Sequence, residues 1–349
     1  MDQLSAHLDR GWDLAQKGDA PGAVACARRA FELDPQSPEV HNLLGFSAAL
    51  SGESEEALEH YRQAIALDET YLEAMLNAAE IMVHPLHDYE EAVSMCNDAL
   101  DYAETKEEIL DCILLKVDAL LGQNKTPEAA RALAMAPEAP YENATHAFLL
   151  GRAYYEVGDS KKALPLLEEA VRNDSEHADA HYYLGLVRDE AGDVRAATEA
   201  FLKTRGLDAL HAPPAWAPSS EVFGATVRAA ITELDALLGR YVRQADVYVV
   251  DIPGPEIVVD GVDPRTLLII DQAPPLQNDT DLRDRSERAS DLGRLRIFVY
   301  QRNVERAAGS VDAIAEELSS ALERELTAIF LERDPGDPVL GSGQGKHQL

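Results

Sequence analysis

Ten histidines and three cysteines set the limits of what this 349-residue chain can catalyse or ligate. Cys26, Cys96 and Cys112 are odd in number and widely spaced, which makes neither a disulfide framework nor a zinc pattern and fits a reducing compartment. His84 and His87 flank Pro85 three residues apart, as a ligand pair could, but with Asp88 beside them they read as loop surface. His177 and His181 are four apart and read as the first turn of a helix. Asp279, Asp281, Asp284 and Asp291 alternate with Arg283, Arg285 and Arg288, without the Asp-x-Asp-x-Asp-Gly order of a calcium loop, and read as a solvated segment. Gly341-Ser342-Gly343-Gln344-Gly345-Lys346 has no helix after it to cradle a phosphate, and no Ser/His/Asp set stands out. No metal and no cofactor is expected.

Charge narrows the partners. The chain carries 63 Asp+Glu against 31 Lys+Arg, a net charge of -32, and an acidic field of that size repels phosphate backbones and anionic lipid. Nucleic acid and membrane surfaces are therefore excluded as default partners. The opening Met1-Asp2-Gln3-Leu4-Ser5 has no basic or apolar leader, and apolar runs such as Thr266–Ile270 are too short to span a bilayer. A soluble, cytoplasmic protein of two or three domains is expected.

The elements that position these residues repeat. His41-Asn42-Leu43-Leu44-Gly45 aligns with Ala147-Phe148-Leu149-Leu150-Gly151 and with His181-Tyr182-Tyr183-Leu184-Gly185, and Gly11 to Gly45 and Gly151 to Gly185 are both steps of 34 residues. Ala23 and Ala57, Ala30 and Ala64, and Ala163 and Ala197 keep the same step. Small residues at this period let paired helices cross closely. Gly18-Asp19, Ser51-Gly52, Gly158-Asp159 and Gly192-Asp193 supply turns, and Pro35 ends a unit. The pattern resembles the tetratricopeptide repeat, a helix–turn–helix unit. Six units are expected over residues 1–210; the third has an extra residue before Asp88, and the fourth places Val117 at a small position.

One such unit cannot bury its apolar face alone, so the resemblance implies a stacked superhelix whose concave groove is lined by the first helix of each unit. By phase, Trp12, Asn42, Phe46, Arg152, Tyr155, Asp179, Tyr182 and Asp189 point into that groove as candidate partner-binding residues. The basic clamp by which some family members hold C-terminal carboxylates is not evident, because Glu39 and Glu73 take likely groove positions. A protein or peptide ligand is expected, but not an anionic C-terminal peptide.

Residues 211–222, with Pro213, Pro214 and Pro218, read as a linker into a smaller α+β domain at 223–334, followed by a tail at 335–349. Helical spacing runs over Phe223–Arg243; Val247–Val250, Thr266–Ile270 and Leu295–Tyr300 read as strands; and Val311–Leu331 reads as a long helix with Ser310 as N-cap. Asp246–Pro253, Val262–Leu267 and Arg296–Arg306 follow in order a pattern that resembles the small bacterial zincin-like metallopeptidases. In that family the last helix carries H-E-x-x-H, two histidines binding zinc and a glutamate activating water. The register puts Arg324-Glu325-Leu326-Thr327-Ala328 there, so Glu325 stands at the base while Arg324 and Ala328 replace both ligands. Neither can bind zinc, and no histidine or cysteine occurs between Ala212 and Lys346. The resemblance thus implies a catalytically inactive relative. Arg302 and Arg306 read as structural ion pairs with the closing helix or, as the alternative, as the lining of a vacated cleft for an acidic peptide. The expected function is a scaffold or adaptor. The alternatives are a peptidase using carboxylate ligands, or a regulator of an active homologous peptidase.

Overall fold

The computed structural model describes residues 3–138, 145–272 and 295–330. The mixed-charge run at 279–291 and the Pro/Gly tail lie outside the described residues. The chain forms two compact units, Met1–Ser175 and Glu176–Leu349. That division falls one helical hairpin ahead of the linker expected at 211–222.

The first unit is built of helical hairpins: α1 (Gln3–Gln16) with α2 (Ala20–Leu33), α3 (Pro38–Leu50) with α4 (Ser54–Leu67), α5 (Leu72–Val83) with α6 (Tyr89–Leu100), α7 (Lys106–Gly122) with α8 (Thr126–Leu133), and α9 (Thr145–Glu156) with α10 (Ser160–Asn173). Each Gly-Asp pair does two jobs in one turn. Gly18 and Gly158 take φ of 74° and 82°, where a Cβ is strained, and the next residue caps the following helix. Asp19 accepts from the Gly22 amide at 3.0 Å and Asp159 from the Lys162 amide at 3.2 Å. At Gly45 the constraint is space rather than φ, since a Cβ there would lie 2.7 Å from the Tyr61 ring. The period of 34 is thus a record of where α3 touches α4. Val117 is fully buried among Leu110, Leu114, Leu133 and Leu150, so the fourth unit fills with a β-branched side chain the position that Gly151 holds in the fifth.

The second unit opens with a sixth hairpin, α11 (Ala178–Glu190) and α12 (Val194–Leu210), turned by Gly192 and capped by Asp193. His177 is the N-cap of α11, its Nδ1 accepting from the Ala180 amide at 3.2 Å. Then follow α13 (Ser220–Glu233), α14 (Ala236–Val242), β1 (Asp246–Val250), α15 (Pro255–Val259), β2 (Leu268–Gln272), β3 (Leu295–Tyr300), α16 (Gln301–Ala308) and α17 (Ile314–Phe330). The strands form one mixed sheet in the order β1-β3-β2, with β3 parallel to β1 and antiparallel to β2. Leu295, Ile297 and Val299 alternate inward on β3 and, with Leu268 and Ile270, meet Phe223, Val227, Leu318, Leu322 and Leu326 of α13 and α17.

Three boundaries differ from the sequence pattern. The helix expected over Phe223–Arg243 is broken, because Leu234 turns extended (ψ 144°) and Asp235 starts α14 by accepting from the Leu237 and Leu238 amides. The last helix begins at Ile314, not after Ser310, since Val311–Ala313 form a turn. The strand read from Thr266 starts at Leu268, because the Thr266 amide donates back to the Asp263 carbonyl and closes a turn.

Candidate functional site

In the first unit α1, α3, α5, α7 and α9 are neighbours in a row, one from each hairpin. Polar and aromatic side chains join them at the repeat spacing. The Trp12 and Phe46 rings, 34 residues apart, meet at 5.2 Å and 57°, and both are half-buried. Asn77 donates to the Asn42 Oδ1 at 3.0 Å, and Asn42 donates to the Tyr71 hydroxyl at 3.2 Å. Burial, then the Glu73 and Glu39 charges, push the Tyr71 hydroxyl up to about 12. Further along, His146 Nε2 lies 2.9 Å from Asp111, and Arg152 Nη2 donates to both oxygens of Asp118 at 3.0 and 3.1 Å.

The eight candidate groove residues therefore separate by environment. Asn42 is completely buried, and it links units rather than facing a ligand. Arg152 is largely committed to Asp118, with Glu156 at 3.6 Å. Tyr155 is half-buried on α9. Trp12 and Phe46 keep apolar ring surface open, with the carboxylates Glu39 on α3 and Glu73 and Glu80 on α5. Glu39, Asn42 and Phe46 fall on one stripe of α3, and Glu73, Asn77 and Glu80 on one stripe of α5, because residues three, four and seven apart share a helix face. The Asn42–Asn77 bond sets those two stripes side by side.

In the second unit Asp189 is exposed on α11, whereas Asp179 and Tyr182 meet the chain's own turn at Asp263–Arg265. The Tyr182 hydroxyl donates to Asp263 Oδ2 at 2.8 Å, and its ring lies 4.5 Å beneath the Arg265 guanidinium. Burial, then the Asp263 charge, push the Tyr182 hydroxyl far above its ordinary range. Arg265 also reaches Asp179 at 2.7 Å and holds Asp208 through Nε at 3.0 Å and Nη2 at 3.2 Å. Arg306 grips the same carboxylate from the other side, with Nη1 to Oδ2 and Nη2 to Oδ1 both at 2.7 Å. Asp208 is only 5% exposed, and burial alone would oppose its ionisation. The hydrogen bonds from Arg306 and Arg265 prevail and hold its carboxyl below the usual range.

Arg302 completes this joint by donating to the carbonyls of Asp208, Ala209 and His211, which are left open where α12 ends. A cleft of about 290 Å³ lies here, lined by His211, Pro213, Ile252, Arg302, Glu305 and Arg306 among others. The expected ion pairs of Arg302 and Arg306 with the closing helix are not found: Arg306 pairs with Asp208 of α12, Arg302 meets carbonyls at the end of α12, and both arginines line the cleft. On α17, Leu318, Ala321, Leu322 and Leu326 face the core, whereas Arg324 and Ala328 are exposed. Glu325 lies 3.8 Å from the Arg324 Nε. The positions at which the zincin-like register would place two ligands are thus both exposed. Among the described residues no group of three or more His, Cys, Asp or Glu is arranged to hold a metal ion, and no helix is long and apolar enough to cross a membrane.

Such rows of close-packed helical hairpins, tied by residues one repeat apart, define a helical-repeat protein. The tetratricopeptide repeat family matches residues 8–71, 114–164 and 148–211, so the chain contains tetratricopeptide repeats. Human Tetratricopeptide repeat protein 7B is 32% identical over 92 residues, covering 26% of this chain and 11% of that protein, so this chain spans about a tenth of its relative's length. Two solved structures share the helical fold. That of Pseudomonas aeruginosa pilF is 19% identical over 59% of this chain and 91% of its own, with a TM-score of 0.51. That of PilW, a type IV pilus biogenesis factor, is 16% identical over 58% and 92%, with a TM-score of 0.51. The family match ends at residue 211, with α12 and ahead of the sheet.

Proposed function

We propose that this chain is a cytoplasmic protein-interaction scaffold whose partner surface is the row of first helices α1, α3, α5, α7 and α9. The observation that carries the reading is the Trp12–Phe46 pair, open aromatic surface at repeat-equivalent positions beside Asn42 and the carboxylates Glu39, Glu73 and Glu80. Aromatic rings anchor protein interfaces because they bury large area at little entropic cost. The flanking acids favour a protein segment that carries apolar side chains and positive charge, and disfavour a free carboxylate terminus. The test is affinity capture on the full chain against its Trp12→Ala and Phe46→Ala forms. Partners retained by the parent and lost from both variants support the surface, and equal capture by all three refutes it.

The C-terminal region is proposed as a non-catalytic module, its likeness to the zincin-like metallopeptidases being one of scaffold alone. Two features support this: the lack of any histidine or cysteine between Ala212 and Lys346, and the presence at the ligand positions of Arg324, a permanent cation, and Ala328, which has no donor atom. A peptidase that works through carboxylates would lose its activity on Glu325→Gln and on chelation.

A further inference from the structure

We propose that the hairpin α11–α12 carries a guanidinium receptor, formed by the Tyr182 ring, Asp179 and Asp208, which the chain's own Arg265 occupies and thereby closes to outside ligands. The proposal concerns the second unit and stands independently of the partner surface on α1 to α9.

The geometry has the parts that arginine recognition requires. The guanidinium plane is covered by an aromatic face at 4.5 Å, and its edge is read by two carboxylates, Asp179 at 2.7 Å and Asp208 at 3.0 and 3.2 Å. A lysine ammonium can satisfy one carboxylate as a point charge, but it cannot stack and fork together. Asp179 and Tyr182 lie on the first helix of their hairpin, the kind of surface that in α1 and α3 presents Trp12 and Phe46. The occupant is held firmly. Asp263 accepts both the Tyr182 hydroxyl at 2.8 Å and the Arg265 amide at 2.7 Å, so the Asp263-Pro264-Arg265 turn sits on the hairpin through its backbone as well as its side chain. Asn303, itself buried, donates to the carbonyls of Pro264 and Thr266 and fixes the turn from behind. With its guanidinium in place, Arg265 is 13% exposed, which leaves no room for a second arginine at the same carboxylates.

The experiment is amide hydrogen exchange across residues 178–210 of the full chain, using Arg265→Ala with and without millimolar methylguanidinium, and methylammonium as the control cation. Exchange in Arg265→Ala is expected to rise about tenfold or more over the parent, with methylguanidinium restoring most of the protection and methylammonium little of it. Unchanged exchange in Arg265→Ala overturns the proposal, as does equal rescue by both cations, because charge alone would then account for the contact. If Arg265→Ala does not fold, Arg265→Lys decides the same question. The proposal requires faster exchange in the lysine form and protection regained with methylguanidinium, and exchange identical to the parent contradicts it.

Discussion

The Trp12 indole lies 5.2 Å from the Phe46 ring, one repeat of 34 residues further along the chain. The same offset separates Asp118 from Arg152, which meet at 3.0 Å. The 34-residue step is therefore used twice to join neighbouring first helices, by aromatic contact in the first two units and by an ion pair in the fourth and fifth. Only the first use leaves apolar surface open to a partner, and that asymmetry locates the proposed binding surface at the α1–α3 end of the row.

Removing either ring should weaken partner binding without unfolding the chain. For Trp12→Ala and Phe46→Ala a loss of about 2 kcal/mol, or about 30-fold in Kd, is expected, as for aromatic residues at interface centres. Calorimetric titration with a captured partner checks the affinity, and circular dichroism should show unchanged helix content.

Gly45→Val should act in the opposite way, on stability first. Even a Cβ would lie 2.7 Å from the Tyr61 ring, which is 1% exposed and has little room to move. Overpacking of this kind costs about 1–3 kcal/mol, to be read from urea unfolding of the first unit. Gly52→Ala is a useful contrast: no atom lies within 4 Å of the added Cβ, but φ is 81°, so its penalty is conformational rather than steric.

Asp208→Asn should destabilise the second unit by about 3 kcal/mol, because two guanidinium forks lose their shared carboxylate in a buried setting. The pH dependence has a definite sign. The arginines hold the folded-state pKa of Asp208 below its unfolded value, so the stabilisation is complete above about pH 4 and is lost as pH falls through the depressed folded pKa. Stability measured from about pH 6 to about pH 2, either side of a free carboxyl, should fall less steeply for the Asp208→Asn variant than for the parent.

The three cysteines should resist alkylation until the first unit opens. All are buried, and burial pushes the Cys96 thiol up to about 12 and the Cys112 thiol up to about 11. Reaction requires thiolate and access together. Iodoacetamide followed by intact-mass measurement should give no adduct on the native chain and three after denaturation; rapid native labelling of Cys96 would contradict the packing of α6 against α7.

The hairpins and their turns were legible because small residues at a period of 34 mark close helix contacts, alanine where no larger side chain fits and glycine where even a Cβ has no room, as at Gly45 against Tyr61. The three strands were legible as short apolar runs, Val247–Val250, Thr266–Ile270 and Leu295–Tyr300. The joint around Asp208 was not legible. Its members Asp179, Asp208, Arg265 and Arg306 are as much as 127 residues apart and carry no local pattern, so each reads singly as a solvated charge. Helical phase placed Asn42 and Asp179 on the groove side of their helices, but phase cannot distinguish a residue that faces a ligand from one that bonds the next unit or the chain's own turn. The break at Leu234 escaped for a related reason: Ile231, Leu234 and Leu238 keep helical spacing through it, since all three reach the same core from two helices and the turn between them.

The scaffold reading is tested most directly by site-specific photocrosslinking in cells that make the full chain, with benzoylphenylalanine replacing Trp12 or Phe46 in turn and the exposed Met135 as control. The two groove positions are expected to crosslink to the same partner protein, and Met135 to none. Adducts that are the same at all three positions, or absent at both Trp12 and Phe46, would contradict a partner surface on the first helices.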